Sequence, residues 1–154
     1  MTTQQVIKKY GTPNETGAGY LTVINLPYPM RLAWDTKTIV KRLSCHKLIA
    51  DKLLNVFKEL LAHYGLSEIQ RLEIDLFGGC FNYRKMRGGN AWSMHAWGIA
   101  VDLNPTKNGL KTKFKDAQFS KPQYKKLHEI FEKYGFRNLG KTKDFDTMHW
   151  EIKE

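Results

Sequence analysis

The chain has 154 residues, of which 42% are hydrophobic and 12% aromatic, so it can bury the core of one folded domain without disulfide support. This composition excludes a disordered chain, and a membrane-spanning segment is excluded because no apolar stretch approaches about 18 residues. The formal net charge of +10 favours polyanionic partners or surfaces. Cys45 and Cys80 are too few for a disulfide scaffold and lack a CxxC spacing, so we expect two reduced core thiols.

Residues 1–45 have the least regular pattern in the chain. Turn-forming Gly, Pro and Asn residues interrupt it, and a strand is predicted only from Tyr20 to Ile24. No linker divides the sequence, so we expect one domain over 1–154, in which this N-terminal arm packs on a core formed by 46–154. The polar start of the chain has no apolar h-region, and no Sec-type signal peptide is predicted.

Two amphipathic helices are predicted in the remainder of the chain. The first runs from about His46 to Tyr64, where apolar residues recur at helical spacing and Gly65 follows in the position of a C-cap. The second begins at Ser120, which forms an S-x-x-Q capping box with Gln123, and it ends before Gly135.

Three short strands are predicted around these helices, at 69–77, 99–103 and 149–152. The first of them ends at the glycine pair 78–79. Because helices and strands do not alternate regularly, the order favours an α+β fold with a small, mainly antiparallel sheet and two packed helices.

The basic charge is concentrated in one stretch, from Lys107 to Lys126. It contains seven lysines and a single acid, Asp116, and so carries six of the ten net positive charges. Such a run is either a solvated surface or an attachment site for a polyanion, among which nucleic acid, acidic wall polymer and anionic membrane all qualify.

Residues able to bind a metal ion are concentrated in two places. In the first, His95 and Asp102 stand seven positions apart, and Gly98 between them permits a turn that returns the aspartate toward the histidine. The second place contains His149. Catalytic zinc takes three ligands of this nitrogen and oxygen type and leaves one position to water, although iron, cobalt or nickel accept the same set. The residues alone also fit a hydrogen-bonded polar core.

The wider context of these residues has a recognisable pattern. The string S-x-H-x-x-G-x-A-x-D occurs at Ser93, His95, Gly98, Ala100 and Asp102. A second motif, with an acid three places before a histidine and an aromatic residue after it, occurs at Asp146, His149 and Trp150. Arg84 lies eleven residues before the first histidine. In this order the positions resemble the zinc D-alanyl-D-alanine carboxypeptidase family, which includes vancomycin-resistance peptidases and phage endolysins that cut the L-alanyl-D-glutamate bond of peptidoglycan.

The resemblance covers 78–104 and 146–151, and it implies the fold that this family shares with the zinc domain of hedgehog signalling proteins. It implies that His95, Asp102 and His149 bind Zn²⁺. It also implies that Asp146 is the general base, which takes a proton from the attacking water and passes it to the leaving amine. The family often has glutamate at this position, and aspartate is similar to the phage endolysin branch.

The resemblance assigns two further residues to the substrate. Arg84 would hold a substrate carbonyl or carboxylate, for which a planar fork of donors is suited. Ser93 would donate a hydrogen bond to the peptide near the scissile bond. The tryptophans near the motifs are expected to form the dry wall of the site. Glu151 faces either solvent, which we expect, or a ligand histidine. These tryptophans are Trp92, Trp97 and Trp150.

The sequence therefore predicts a zinc metallopeptidase that cuts a peptidoglycan stem peptide, as an endopeptidase or a DD-carboxypeptidase. The absence of a signal peptide favours a phage endolysin made in the host cytoplasm and released through a holin, and Lys107–Lys126 would hold it on anionic wall polymers. One alternative is a non-catalytic zinc-containing binding protein of the same fold. Another is a nucleic-acid-binding module, although the chain has no zinc finger, recognition-helix pattern or aromatic RNA-binding motif.

Overall fold

The computed structural model describes residues 1–154, which form six strands and four α-helices. The strands are β1 (Leu21–Leu32), β2 (Asp35–His46), β3 (Leu76–Gly79), β4 (Ala100–Leu103), β5 (Phe136–Asn138) and β6 (His149–Ile152). The helices are α1 (Thr3–Tyr10), α2 (Ala50–Arg71), α3 (Lys125–Lys133) and α4 (Leu139–Lys143). The α+β class is confirmed, with two more helices than the sequence predicts.

All six strands form one sheet in the order β2-β1-β3-β4-β6-β5. The β1–β3 pair is parallel and every other pair is antiparallel, so the prediction of a mainly antiparallel sheet is confirmed. Helix α2 packs on β1, and α3 packs on β5 and α2. None of the helices is both long enough and apolar enough to span a membrane.

The N-terminal region is more regular than its sequence pattern indicates. The predicted strand at Tyr20 to Ile24 is only the beginning of β1, which continues through two prolines, Pro27 and Pro29, and forms a hairpin with β2. The proline segment causes a shift in the β1–β2 register. A strand tolerates prolines there because β3 pairs only with the far end of β1, so the proline segment has a neighbour on one side only.

The predicted break at Gly65 is present, but the helix resumes after it. Gly65 has φ 76° within α2, and helical structure continues to Arg71. The strand predicted at 69–77 is therefore wrong over most of its length, since β3 begins only at Leu76. The reason is that Ile69 and Leu72 are both buried at a spacing of three residues, which follows a helical and not an alternating pattern.

The helix predicted from Ser120 begins later, at Lys125. Three short 3₁₀ turns occupy residues 114–124, and the Ser120 hydroxyl donates to the carbonyl of Ala117 at 2.8 Å instead of capping a helix. Pro122 explains this difference, because the residue before a proline is disfavoured in helical conformation. That residue, Lys121, is extended, with φ −72° and ψ 154°.

A single hydrophobic core of 31 buried residues lies between the sheet and the helices. It includes Val6 and Tyr10 from α1 as well as Trp97 and Trp150, so the N-terminal region shares one core with the motif-bearing part of the chain. Both cysteines are buried and free, as predicted.

Candidate metal centre and active site

His95 is held in a short 3₁₀ turn, Met94–Trp97, that Ser93 begins and Gly98 ends. The Ser93 Oγ accepts a hydrogen bond from the His95 backbone N–H at 3.2 Å. Gly98 adopts the left-handed conformation with φ 69°, and a Cβ there would lie 3.0 Å from the backbone nitrogen of His46. Only glycine fits this position, and the turn leads directly into β4.

The imidazole of His95 is oriented by a backbone carbonyl. Its Nδ1 lies 2.7 Å from the oxygen of Cys80, which can only accept a hydrogen bond. Nδ1 therefore carries the hydrogen, and Nε2 is left with a free lone pair. A backbone carbonyl is a common partner for the distal nitrogen of a metal-ligating histidine.

The other two predicted ligands are brought together by strand pairing. Asp102 on β4 and His149 on β6 are directly opposite each other in the antiparallel register. The His149 Nδ1 lies 3.2 Å from Asp102 Oδ1, and the His95 Nε2 lies 3.2 Å from Asp102 Oδ2. The carboxylate thus lies between two imidazole nitrogens that come from different parts of the chain.

The geometry and the unsatisfied atoms of this cluster fit a metal ion. One ligand atom each from His95, Asp102 and His149 lies within 4.8 Å of the others. The His95 Nε2 and the Asp102 Oδ1 are buried and have no hydrogen-bond partner. Ligand atoms at about 2.0 to 2.2 Å from one zinc ion are necessarily within about 4.5 Å of each other, so a small closure of this cluster would satisfy both atoms.

The charges around the cluster stabilise a cation. Burial by itself raises the pKa of Asp102, but the neighbouring imidazoles of His95 and His149 outweigh it and hold that pKa below its ordinary value. Burial by itself lowers the pKa of His149, but the Asp102 and Glu151 carboxylates beside it raise that pKa to about 10. The pocket therefore favours positive charge where a metal ion would lie.

Glu151 corrects the sequence expectation, which placed it in solvent. It is 5% exposed, and its Oε1 lies 2.8 Å from the His149 Nε2. Its Oε2 accepts from the Arg137 guanidinium at 2.8 Å. The signal was available in the sequence, because residues 149 and 151 lie on the same side of a strand. Glu151 fixes the orientation of His149 so that Nδ1 faces Asp102.

Asp146 lies beside the cluster in an unusual backbone conformation. Its φ is 59°, in the left-handed region, which costs an L-residue about 1 to 2 kcal/mol. Its Oδ2 lies 3.9 Å from the His149 Nδ1, and its Oδ1 is buried without a partner. Burial raises the pKa of Asp146, although nearby positive groups oppose the rise. A carboxylate of raised basicity next to a metal centre is suited to accepting a proton.

All six predicted site residues line one cavity of about 300 Å³. They are Arg84, Ser93, His95, Asp102, Asp146 and His149. Arg84 is half-buried, and its guanidinium has no carboxylate partner, since its one hydrogen bond goes to the carbonyl of Lys85 at 3.3 Å. The side chain is therefore free to contact a ligand in the cavity.

The three tryptophans do not line this cavity. Trp97 and Trp150 are fully buried, and the Trp97 Nε1 donates to the carbonyl of Gly11 at 2.7 Å. Trp92 is half-buried and stacks on Tyr83, and the ammonium group of Lys85 lies over its ring. Trp97 and Trp150 support the turn and the strand that carry the histidines.

Comparison with known proteins finds one protein family that matches part of the chain. Residues 87–152 match the model of a family described as D-alanyl-D-alanine carboxypeptidase. This stretch contains the His-Asp-His cluster and Asp146, whereas Arg84 lies just before it. No curated protein and no solved structure shows significant similarity to the chain. The match confirms, over residues 87–152, the resemblance to the zinc D-alanyl-D-alanine carboxypeptidase family.

Proposed function

We propose that this protein is a zinc metallopeptidase that hydrolyses a peptide bond in the stem peptides of bacterial peptidoglycan. The observation that carries the proposal is the convergence of His95, Asp102 and His149, with two unsatisfied buried atoms, in a cavity beside Asp146. These three residues would hold Zn²⁺. When bound, a zinc ion acidifies water and polarises a carbonyl group, which is the chemistry that amide hydrolysis requires.

Asp146 is the proposed general base. Its carboxylate has a free buried oxygen and a raised pKa, so it accepts a proton from the attacking water more readily than an ordinary aspartate does. The same carboxyl group then donates that proton to the nitrogen of the leaving amine. The left-handed backbone of this residue aims its short side chain into the cavity that the histidines line.

Arg84 and Ser93 are the proposed substrate contacts. The Arg84 guanidinium holds a substrate carbonyl or carboxylate through its planar set of donors. Ser93 already accepts from the His95 backbone N–H, and its hydroxyl hydrogen remains available to a peptide carbonyl. Ser93 therefore combines two roles, since it shapes the turn that holds one metal ligand and faces the cavity that admits the substrate.

The whole of 1–154 is proposed to act as one catalytic domain, with residues 1–45 packed on the remainder. Shared burial supports this proposal, since Val6 and Tyr10 belong to the same core as Trp150. The finer proposal is a phage endolysin that reaches the wall from the host cytoplasm by holin-type release, and that acts as an L-alanyl-D-glutamate endopeptidase or a DD-carboxypeptidase. The aspartate at position 146 supports the endolysin branch through the family resemblance.

The lysine-rich stretch Lys107–Lys126 is proposed to hold the enzyme on anionic wall polymers. All seven of its lysines are exposed. Four of them pair with carboxylates, which are Lys107 with Glu73, Lys113 with Asp144, and Lys125 and Lys126 with Glu129. Lys111, Lys115 and Lys121 have no carboxylate within ion-pairing distance, so these three are the side chains most available to an external anion.

The proposed function is tested by measuring bound metal and the loss of turbidity of purified bacterial walls for the same preparations. We expect one zinc per chain in the unmodified protein, loss of zinc and activity in His149→Ala, and bound zinc without activity in Asp146→Ala. Mass analysis of the released fragments identifies the bond that is cut. Bound zinc without hydrolysis in the unmodified protein would instead support the non-catalytic binding protein, and a chain that binds no metal would contradict both.

A further inference from the structure

A second groove adjoins the candidate metal centre. It has a volume of about 690 Å³ and lies between the β1–β2 hairpin and the end of β3. Its lining includes the side chains of Val23, Trp34, Arg42 and Phe81. None of these four residues belongs to the stretch that matches the carboxypeptidase family, so the groove is built by a part of the chain to which that match assigns no role.

The groove and the metal centre share a continuous lining. A smaller cavity of about 160 Å³ lies between them, and Trp34, Gly79 and Phe81 line both this cavity and the groove. The other walls of the smaller cavity include Arg84, His95 and Asp102. An extended ligand that lies in the groove is therefore directed toward the metal ligands.

Gly79 keeps the passage between the two spaces open. It pairs with Asp102 in the β3–β4 register and has φ 120°, a conformation that only glycine adopts readily. A Cβ added to Gly79 would meet nothing within 4 Å, so the space above it is empty. A glycine in a strand often marks a place where another backbone approaches closely.

The β1–β2 hairpin places both polar and apolar side chains on the face that lines the groove. Val23 is opposite Ser44 in the β1–β2 register, and both line the groove together with Arg42. The intervening residue Ile24 is buried in the core, as the alternation of a strand requires, and its partner Leu43 is buried at the floor of the groove. One face of the hairpin therefore belongs to the core, and the other is available to a ligand.

The charges of the lining suit an acidic ligand. Arg42 is exposed and has no carboxylate within ion-pairing distance, and Arg84 is similarly unpaired. Asp102 is the only acid among the residues that line the groove and the smaller cavity, and it belongs to the metal cluster. Trp34, which is 69% exposed, offers a large apolar surface at the rim.

We propose that this groove binds a second, acidic stretch of the stem peptide. Arg42 pairs with a substrate carboxylate beyond the scissile bond, and Trp34 covers the apolar part of the peptide next to it. This inference rests on the proposed function, and it deepens that function by naming the residues that select long, acidic substrates over short ones.

The test compares two synthetic stem peptides, one complete and one truncated so that it lacks the acidic residue beyond the scissile bond. We expect Arg42→Gln and Trp34→Ala, in the zinc-loaded protein, each to lower the preference in kcat/KM for the complete peptide about tenfold, because Arg42→Gln removes the contact to the carboxylate and Trp34→Ala removes the apolar contact next to it. Lys37→Gln is the matched control, since Lys37 is exposed on the same strand, has no ion-pair partner and lines neither space.

Two results would overturn the groove proposal. One is an unchanged preference in both variants, and the other is an equal loss of kcat/KM on both peptides. If the unmodified protein hydrolyses neither peptide, the proposed function fails, and calorimetric titration with the complete peptide still tests the groove. Binding about tenfold weaker in Arg42→Gln than in Lys37→Gln supports the groove, and equal binding contradicts it.

Discussion

The candidate metal ligands and the region that holds them in place are encoded differently in the sequence. His95, Asp102 and Asp146 lie in the stretch that matches the family, and short motifs reveal them. The turn that carries His95 is fastened by residues far away in the sequence. The Tyr20 hydroxyl donates to the carbonyl of Ala96 at 2.9 Å, and the His46 backbone N–H donates to that of Gly98 at 2.9 Å. The reactive groups of the site are therefore local in sequence, whereas their placement depends on the N-terminal region.

The largest expected effect comes from the cluster itself. Asp102→Asn removes the carboxylate between the two imidazoles, and we expect zinc binding to be lost and wall hydrolysis to fall at least about 1,000-fold, since a catalytic metal ion contributes several kcal/mol of transition-state stabilisation. Metal analysis and a turbidity assay measure the two effects. Asp116→Asn is the control, because Asp116 is exposed and unpaired. Full activity in Asp102→Asn would contradict the ligand assignment.

A smaller effect is expected from the partner of His149. Glu151→Gln removes the charge that fixes the orientation of the imidazole, and such changes typically weaken metal affinity about 10- to 100-fold. Competition with a chelator of known affinity measures the change. Asp35→Asn is a suitable control, because Asp35 is exposed and lines neither the site cavity nor the groove. Equal zinc affinity in Glu151→Gln and the unmodified protein would contradict this role of Glu151.

The N-terminal region is tested by Tyr20→Phe, which removes one hydroxyl and keeps the aromatic stacking on His46. We expect the free energy of unfolding to fall by about 1 kcal/mol and zinc affinity to fall several-fold, because the Ala96 carbonyl loses its donor. The affinity is the informative measurement, since a purely structural role changes stability alone. Tyr83→Phe, in an exposed ring without a hydrogen bond from its hydroxyl, should change neither.

The pH dependence of stability tests one buried histidine in each region, His46 in the N-terminal part and His128 in the part that matches the family. Burial lowers the pKa of His46 and of His128, so each takes up a proton when the chain unfolds in mild acid. Their stability contribution is complete above the ordinary histidine pKa of about 6.5 and is lost as the pH falls below it, with a slope of at most about 1.4 kcal/mol per pH unit for each. Denaturant unfolding of the zinc-loaded protein at several pH values measures this slope. It should be shallower in His128→Gln, and an identical slope would contradict the prediction.

The sequence predicts the strands whose alternation of apolar and polar residues is set mainly by burial against the core. Strands β4 and β6 were predicted nearly to the residue, because their apolar side faces a core and their polar side carries the motifs. The capping box between Thr2 and Gln5 that begins α1 is also visible in the sequence. Hairpin β1–β2 was largely missed, because Pro27 and Pro29 normally interrupt strands and only the tertiary pairing shows that they are tolerated.

In the candidate site, too, the sequence reveals some residues, whereas other contacts depend on the tertiary fold. Motifs and resemblance named six residues that line one cavity. They could not show that the carbonyl of Cys80 orients His95, because backbone groups carry no sequence signal. Arg137, which pairs with Glu151, was missed because its strand β5 is only three residues long and its pairing with β6 depends on the fold.

The position of Cys80 makes its thiol a reporter of opening at the site. Its backbone carbonyl holds His95, and burial raises the pKa of its thiol well above the ordinary value, so almost no reactive thiolate exists in the folded protein. Burial also raises the pKa of Cys45 to about 12. Alkylating reagents therefore react with these sulfurs only when the structure opens. The labelling rate of Cys80 would measure how often the turn that carries His95 separates from its support, and a metal ion bound as proposed should slow that rate.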